Sequence, residues 1–240
     1  MAKQAKTRDT SLFLPTTAAE LSARGIGQLD FVYIIGDAYV DHPSFGPAII
    51  SRVLESHGYT VGILSQPDWH SAEAFRRLGR PRLAFLISAG NIDSMVNHYT
   101  SAKKRRSSDA YTPGGEAGKR PDRATIVYAN RAREAYRGVP VILGGIEASL
   151  RRFAHYDYWD DKVRRSILSD SGADLLIYGM GERQIVEIAD ALAGGLPAEQ
   201  ITYVNGTCYM THSLERVYEY ETIESYEAVA RDKNAYAAAF

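Results

Sequence analysis

Apolar residues in this chain gather in five short runs that do not alternate with polar ones: Phe31–Ile35, Thr60–Leu64, Leu83–Ile87, Val139–Leu143 and Leu175–Tyr178. Most are rich in β-branched or aromatic residues. Such runs fit strands covered on both faces, as in a parallel sheet. Helical spacing lies between them. Ile49, Ile50, Val53, Leu54 and His57 share one face, and Gly58 offers a left-handed stop. Ser71 can open a short helix carrying Ala72, Phe75 and Leu78. Asp122 can cap one carrying Val127, Tyr128, Arg131 and Ala135, ended by Gly138 with Pro140 beyond. Ile185, Ile188, Ala189, Leu192 and Ala193 form a further stripe, closed by Gly194 and Gly195. Strand–helix alternation of this kind predicts an α/β fold: a flavodoxin-like, doubly wound, five-stranded parallel sheet in the order 2-1-3-4-5.

Residues 1–10 are polar and basic and are expected to form a disordered tail. Residues 11–200 read as one α/β domain, with a long basic insertion at 97–123. Residues 201–240 read as a small C-terminal extension: Ile201–Cys208 and Ser213–Tyr220 as two strands, with Asn205-Gly206 and Thr211-His212 in turns, then a helix over Ser225–Phe240.

Net charge over the 240 residues is −1, so the chain as a whole carries no nucleic-acid or membrane signal. The charge is uneven, however. Residues 103–137 hold ten Lys and Arg against four Asp and Glu, and the rest hold 18 against 25. A basic patch on an acidic body points to an anionic partner. One cysteine, Cys208, excludes an internal disulfide and a cysteine-ligated cluster within the chain. No run approaches the roughly 18 apolar residues of a membrane span, and residues 1–10 lack a signal peptide's apolar stretch. A cytoplasmic protein is expected.

Ligands of such sheets sit at the switch point, here between strands 1 and 3. The loops leaving those strands carry Asp37, Asp41 and His42, and Ser88, Asn91 and Asp93. Asp41-His42 could act as an acid/base pair, although Asx and His side chains also serve loop backbones in this way. Gly144, Gly145 and Glu147 follow the fourth strand, and Gly179, Gly181 and Glu182 the fifth. Paired glycines there let backbone approach a ligand. They also make tight turns. Lys103, Lys104, Arg105, Arg106, Lys119, Arg120, Arg123, Arg151 and Arg152 are anion-binding candidates. Tyr156, Tyr158 and Trp159 interleave with charges, as on a docking surface or a single-strand platform. No His-x-x-x-His, Cys-x-x-Cys, Gly-x-Ser-x-Gly or Walker pattern occurs, so no metal site is expected.

Several peculiar stretches resemble the N-terminal region of the YgiQ family of radical SAM proteins. They are Gly90–Asn97, Asp109–Gly115, Gly118–Arg123, Gly144–Arg152, Tyr178–Glu182 and Phe31–Ser44. The resemblance spans residues 10–240. It implies a longer protein, whose radical SAM barrel binds a [4Fe–4S] cluster and S-adenosylmethionine through Cys-x-x-x-Cys-x-x-Cys. That motif does not occur here, so this chain is expected to hold neither group and to be inactive alone. It is also similar to cobalamin-binding domains, and Gly144-Gly145 matches their paired glycine. Their Asp-x-His-x-x-Gly is not met, since Asp41 and His42 are adjacent, and cobalamin is not expected.

The resulting reading is an accessory domain of a radical SAM enzyme of unknown substrate. Its partner would be the barrel, in cis or on a neighbouring chain, and its substrate anionic. Ser88–Asp93 and Gly144–Glu147 would line the crevice, with 97–123 as cover. One alternative is a nucleic-acid module in which 103–137 holds phosphates while Tyr111 and Tyr128 stack on bases. The other is a self-sufficient enzyme using Asp41, His42 and Glu147.

Overall fold

The structure is a computed structural model that describes residues 13–215 and 217–239. The expected disordered tail, residues 1–10, lies outside these. The apolar runs become strands β1 (Phe31–Ile35), β2 (Val61–Ser65), β3 (Ala84–Ser88), β4 (Val141–Leu143) and β7 (Leu175–Ile177). β5 (His155–Asp157) and β6 (Lys162–Arg164) form a separate antiparallel hairpin. β8 (Thr207–Tyr209) joins the main sheet. Its order is β2-β1-β3-β4-β7-β8. The first five strands are parallel, in the expected 2-1-3-4-5 order, and β8 is an added antiparallel edge.

The helices are α1 (Ala18–Ala23), α2 (Gly46–Ser56), α3 (Ser94–His98), α4 (Ala124–Ala135), α5 (Gly145–Leu150), α6 (Ile167–Ser171), α7 (Glu182–Ala193), α8 (Tyr226–Arg231) and α9 (Lys233–Ala238). Side chains alternate across a strand, so each sheet face has its own core. Val32, Ile34, Phe85, Ile87, Val141, Leu143 and Leu176 pack with Ala124, Tyr128, Ala129 and Ala132 of α4. Phe31, Tyr33, Leu86, Ile142 and Leu175 pack with Leu54 of α2 and Ile185, Ile188 and Leu192 of α7.

Some local expectations give way. Only Thr207–Tyr209 of the extension pairs with the sheet, and no strand forms among the described residues of 213–220, where Leu214, Tyr218 and Tyr220 stand exposed. The helix expected over 225–240 breaks at Asp232, which is extended (φ −127°) and caps α9 through the Asn234 N–H (2.8 Å). The helix expected after Ser71 is a single 3-10 turn, Glu73–Arg76. Asp122 does not cap α4. Its carboxylate accepts from the Tyr99 hydroxyl (2.8 Å) and pairs with His98 Nδ1 (2.6 Å), and left-handed Arg123 precedes the helix. The helix that follows β6 starts at Ile167 and is capped by the Ser166 hydroxyl, which accepts the Leu168 N–H (3.2 Å).

Two buried charged groups tie the insertion and the short helices to the sheet. The Arg120 side chain is fully buried. Its guanidinium reaches both Asp109 carboxylate oxygens (3.1 and 3.2 Å), pairs with Asp37 (2.8 Å) and donates to the Ala89 carbonyl (2.9 Å). Burial pushes the Asp37 carboxyl up against the pull of Arg120. Burial also acts upward on Asp109, but the Tyr111 N–H and Arg120 outweigh it and hold its carboxyl below the usual range. Asp37 in turn accepts the Asn91 N–H (2.7 Å). Gly90 beside it has φ +118°, and an added Cβ would lie 2.1 Å from Asp37 Oδ1, so only glycine fits. Glu147 is the second group. Its buried carboxylate accepts the Ser94 N–H of α3 (2.8 Å) and the Thr125 N–H of α4 (3.0 Å), stapling two helix N-termini from a third helix.

Arg120→Met leaves two buried carboxylates without their cation and should cost about 3–5 kcal/mol in chemical denaturation at neutral pH. The contribution of Asp109, depressed in the folded state, is present above its unfolded value and lost as pH falls through the folded one. The gap between wild type and variant should therefore narrow on acidification. Glu147→Gln keeps one acceptor and turns an NH2 toward the other helix. About 1–3 kcal/mol should be lost, seen as a lowered thermal midpoint.

Candidate functional site

A pocket of about 270 Å3 opens at the carboxyl ends of β1, β3, β4 and β7, on the face covered by α2 and α7. Strand register explains why a hollow forms there. Tyr33, Leu86 and Ile142 lie side by side across three strands and make its floor. One step further along the same face come Ile35 on β1 and Ser88 on β3, in register. On β4 the corresponding position is Gly144, just beyond the strand. The two central strands thus end their inward rows in a serine and a glycine where a large side chain would close the core. Gly144 has extended backbone (φ −157°), and an added Cβ would meet only the Ile177 carbonyl, at 4.0 Å, so it faces open space.

Pro47 and Ile50 of α2, Ile146 of α5 and Ile185 of α7 supply apolar walls, with Met180 and Gly181 at the rim. Polar groups are few. Ser88 Oγ is buried beside the Tyr33 phenol and makes no other hydrogen bond of good geometry among the described residues. Burial pushes that phenol up to about 12, so Tyr33 stays a neutral donor through the physiological range. Glu182 is the charged side chain on the wall; among the described residues no Lys, Arg or His lines the pocket.

Of the expected site residues, Ser88, Asn91, Gly144, Gly145, Gly179, Gly181 and Glu182 come together here. The others lie elsewhere. Asp37 sits beneath the rim, holding Asn91. Asp93 caps α3 through the Met95 and Val96 N–H groups (2.9 and 3.1 Å) and pairs with Arg151. Asp41 is bound by Arg52, and His42 Nδ1 accepts the Ser44 N–H (3.1 Å), so the two form no acid/base pair. Glu147 is spent on helix N-termini, which leaves the trio Asp41, His42 and Glu147 dispersed. Sequence reasoning missed Tyr33, Pro47, Ile50 and Met180 as site residues. Tyr33 and Ile50 lie in runs read as strand and helix core, Pro47 and Met180 in loops, and only the fold brings them to one hollow.

The basic candidates do not reach the pocket. Arg120, Arg123 and Arg151 serve the chain's own carboxylates; Arg123 binds Asp157 (2.7 Å) and Asp160 (2.9 Å). Arg152 stacks on Phe153 and Tyr178. Lys103, Lys104, Arg105, Arg106 and Lys119 are exposed, with Lys119 beside Glu116 and Lys103 over the Tyr158 ring. Tyr128 is buried in the core and cannot stack on a base. The insertion does not cover the crevice either. Its Tyr111 carbonyl accepts the Ala38 N–H (2.8 Å) and its Thr112 hydroxyl accepts from Gln66 (2.7 Å), so it packs over the ends of β1 and β2 beside the pocket.

Among the described residues, no three His, Cys, Asp or Glu side chains group as a metal site. No described helix is long and apolar enough to cross a membrane.

A family profile described as Radical SAM N-terminal matches residues 13–240. A UPF0313 protein of Clostridium perfringens (strain ATCC 13124) is 60% identical over 229 residues, covering 95% of this chain and 35% of that protein. A UPF0313 protein of Clostridium botulinum (strain 657) is 56% identical over 228 residues, with 95% of this chain and 36% of that protein covered. The chain thus spans about a third of the length of these relatives. No solved structure gives a significant match. With the profile running from the first described residue to the last in the chain, this protein belongs to the Radical SAM N-terminal family.

Proposed function

We propose that the chain is the accessory N-terminal domain of a radical SAM enzyme of the YgiQ type, and that its strand-end pocket holds part of the substrate against the catalytic domain. The observation that carries this is the hollow left by Ser88 and Gly144 at the carboxyl ends of four parallel strands, where ligands of open α/β sheets bind. The mouth supports it too. Ile146 is 43% exposed and Met180 83%, with Leu150 and Tyr178 also uncovered, an apolar rim that suits a second domain. The relatives carry about twice this length again, room for such a domain. The [4Fe–4S] cluster and S-adenosylmethionine of such an enzyme belong to that remainder. Cys208 is the sole cysteine here and cannot supply a three-thiolate site. Nor do Asp41 and His42 fit a cobalt-ligating motif, with Asp41 held by Arg52.

The exposed run Lys103–Arg106 favours a second reading, a single-stranded nucleic acid bound along the insertion. Binding that weakens steeply with salt, and is lost when the four are changed to Glu, would support it.

For the first reading, this chain is mixed with the separately expressed remainder of the Clostridium perfringens relative. A one-to-one complex of micromolar affinity or tighter, on the order of a specific domain interface, is expected in size exclusion and calorimetry. Two folded proteins that stay apart at tens of micromolar sink the accessory-domain reading.

A further inference from the structure

We propose that the pocket at the ends of β1, β3, β4 and β7 takes a flat, uncharged heteroaromatic ring, lying on the Tyr33–Leu86–Ile142 row with its polar edge at the Ser88 and Tyr33 hydroxyls. This rests on reading that hollow as a ligand site and names what enters it. Three observations converge on the class of ligand.

The first is charge. Among the described residues no cation lines the pocket, and Glu182 on its wall repels anions, so phosphates, carboxylates and sulfonates are disfavoured inside. Away from Glu182 an unpaired cation is disfavoured as well, since buried apolar walls penalise a lone charge. The basic groups of 97–123 lie outside, several already paired.

The second is shape. The floor is one in-register row of side chains on a sheet face, which presents a level surface. The mouth is tight: Gly181, at the start of α7, packs against Ile177 of β7 and Ile50 of α2, where a Cβ would lie 2.9 and 3.7 Å away. A Cβ on Gly145 would lie 3.1 Å from that of Ser88. Glycine at these two positions lets backbone close in on the rim, a narrow mouth that suits a thin ligand. At about 270 Å3 the space sits at the low end of ligand pockets, roughly 300–1,000 Å3, and holds a ring system rather than a whole dinucleotide.

The third is polarity. Ser88 Oγ is buried within the pocket lining and lacks a well-aligned partner. A purely apolar ligand would leave it so, at a cost. A ring with nitrogen or carbonyl edge atoms satisfies it. Such a ring could be free, or carried on a larger molecule whose remainder leaves by the mouth toward Ile146 and Met180.

The test is a titration of the isotopically labelled 240-residue chain, followed by NMR, with adenine, adenosine and inorganic phosphate in separate arms. Adenine or adenosine should give saturable shifts at the Gly144, Gly145 and Gly181 amides, with a dissociation constant on the order of 1 mM or below for so small a ring. A tighter response to adenosine identifies a ring carried on a sugar, and a response to adenine alone a free base. Gly144→Val, tolerated by that extended backbone, should fill the hollow and abolish binding in a folded protein. Ser88→Ala should weaken it about two- to tenfold, the value of one hydrogen bond. Saturation by phosphate, silence toward both rings, or ring binding unchanged by a folded Gly144→Val overturns the proposal. Silence toward the rings beside intact association with the relative's remainder removes the ring and leaves the accessory reading standing. Ring binding without association does the reverse.

Discussion

A fully buried guanidinium must be matched by carboxylates, and that requirement organises one end of this molecule. Arg120 comes from the insertion, Asp109 from its middle, and Asp37 from the loop after β1. Satisfying all three pulls a polar, basic segment onto the sheet. The same Asp37 then holds the Asn91 N–H and crowds Gly90, so the rim of the pocket inherits its position from the ion cluster. Such clusters are weak evidence of net stability, because desolvation offsets most of the Coulomb gain. Here the cluster specifies geometry: it sets where the loop after β3 can lie.

Glu147 acts in the same way on the other side. One carboxylate accepts an N-terminal N–H from each of two helices, so a single side chain of α5 ties α3 and α4 together. Between these anchors the sheet leaves a hollow lined by backbone, apolar carbon, two hydroxyls and Asn91. Charge is held at its margins, on Glu182 and in the ion pairs beneath. A site of this kind selects by shape and by a few hydrogen bonds, and its exposed apolar rim suits closure by another domain.

Much of the architecture was legible in the residue pattern. Buried strands read as unbroken apolar runs because both faces are covered, and the parallel order follows from right-handed crossovers. The family wording of Gly90–Asn97 and Asp109–Arg123 was legible as well. The insertion was harder. Its cations read as a solvent-facing patch, since a sequence cannot show that Arg120 meets Asp37, 83 positions earlier. Lys103–Arg106 carry equal charge in the sequence and remain exposed. The extension misled for a related reason: the stretch 213–220 has strand-like residues, but its described residues find no partner strand, and β propensity yields to packing context.

The sequence by itself determined the five parallel strands, their order, the glycine turns after β4 and β7, and the family, because each is written in local periodicity or in contiguous motifs. Only the tertiary structure decided which charges are internal. It also showed that Asp41, His42 and Glu147 serve separate loops and helices, and that Tyr33, Ser88 and Gly144 meet around one hollow. Those facts depend on strand register and on which partner satisfies a buried charge, and both are settled between residues far apart in the chain.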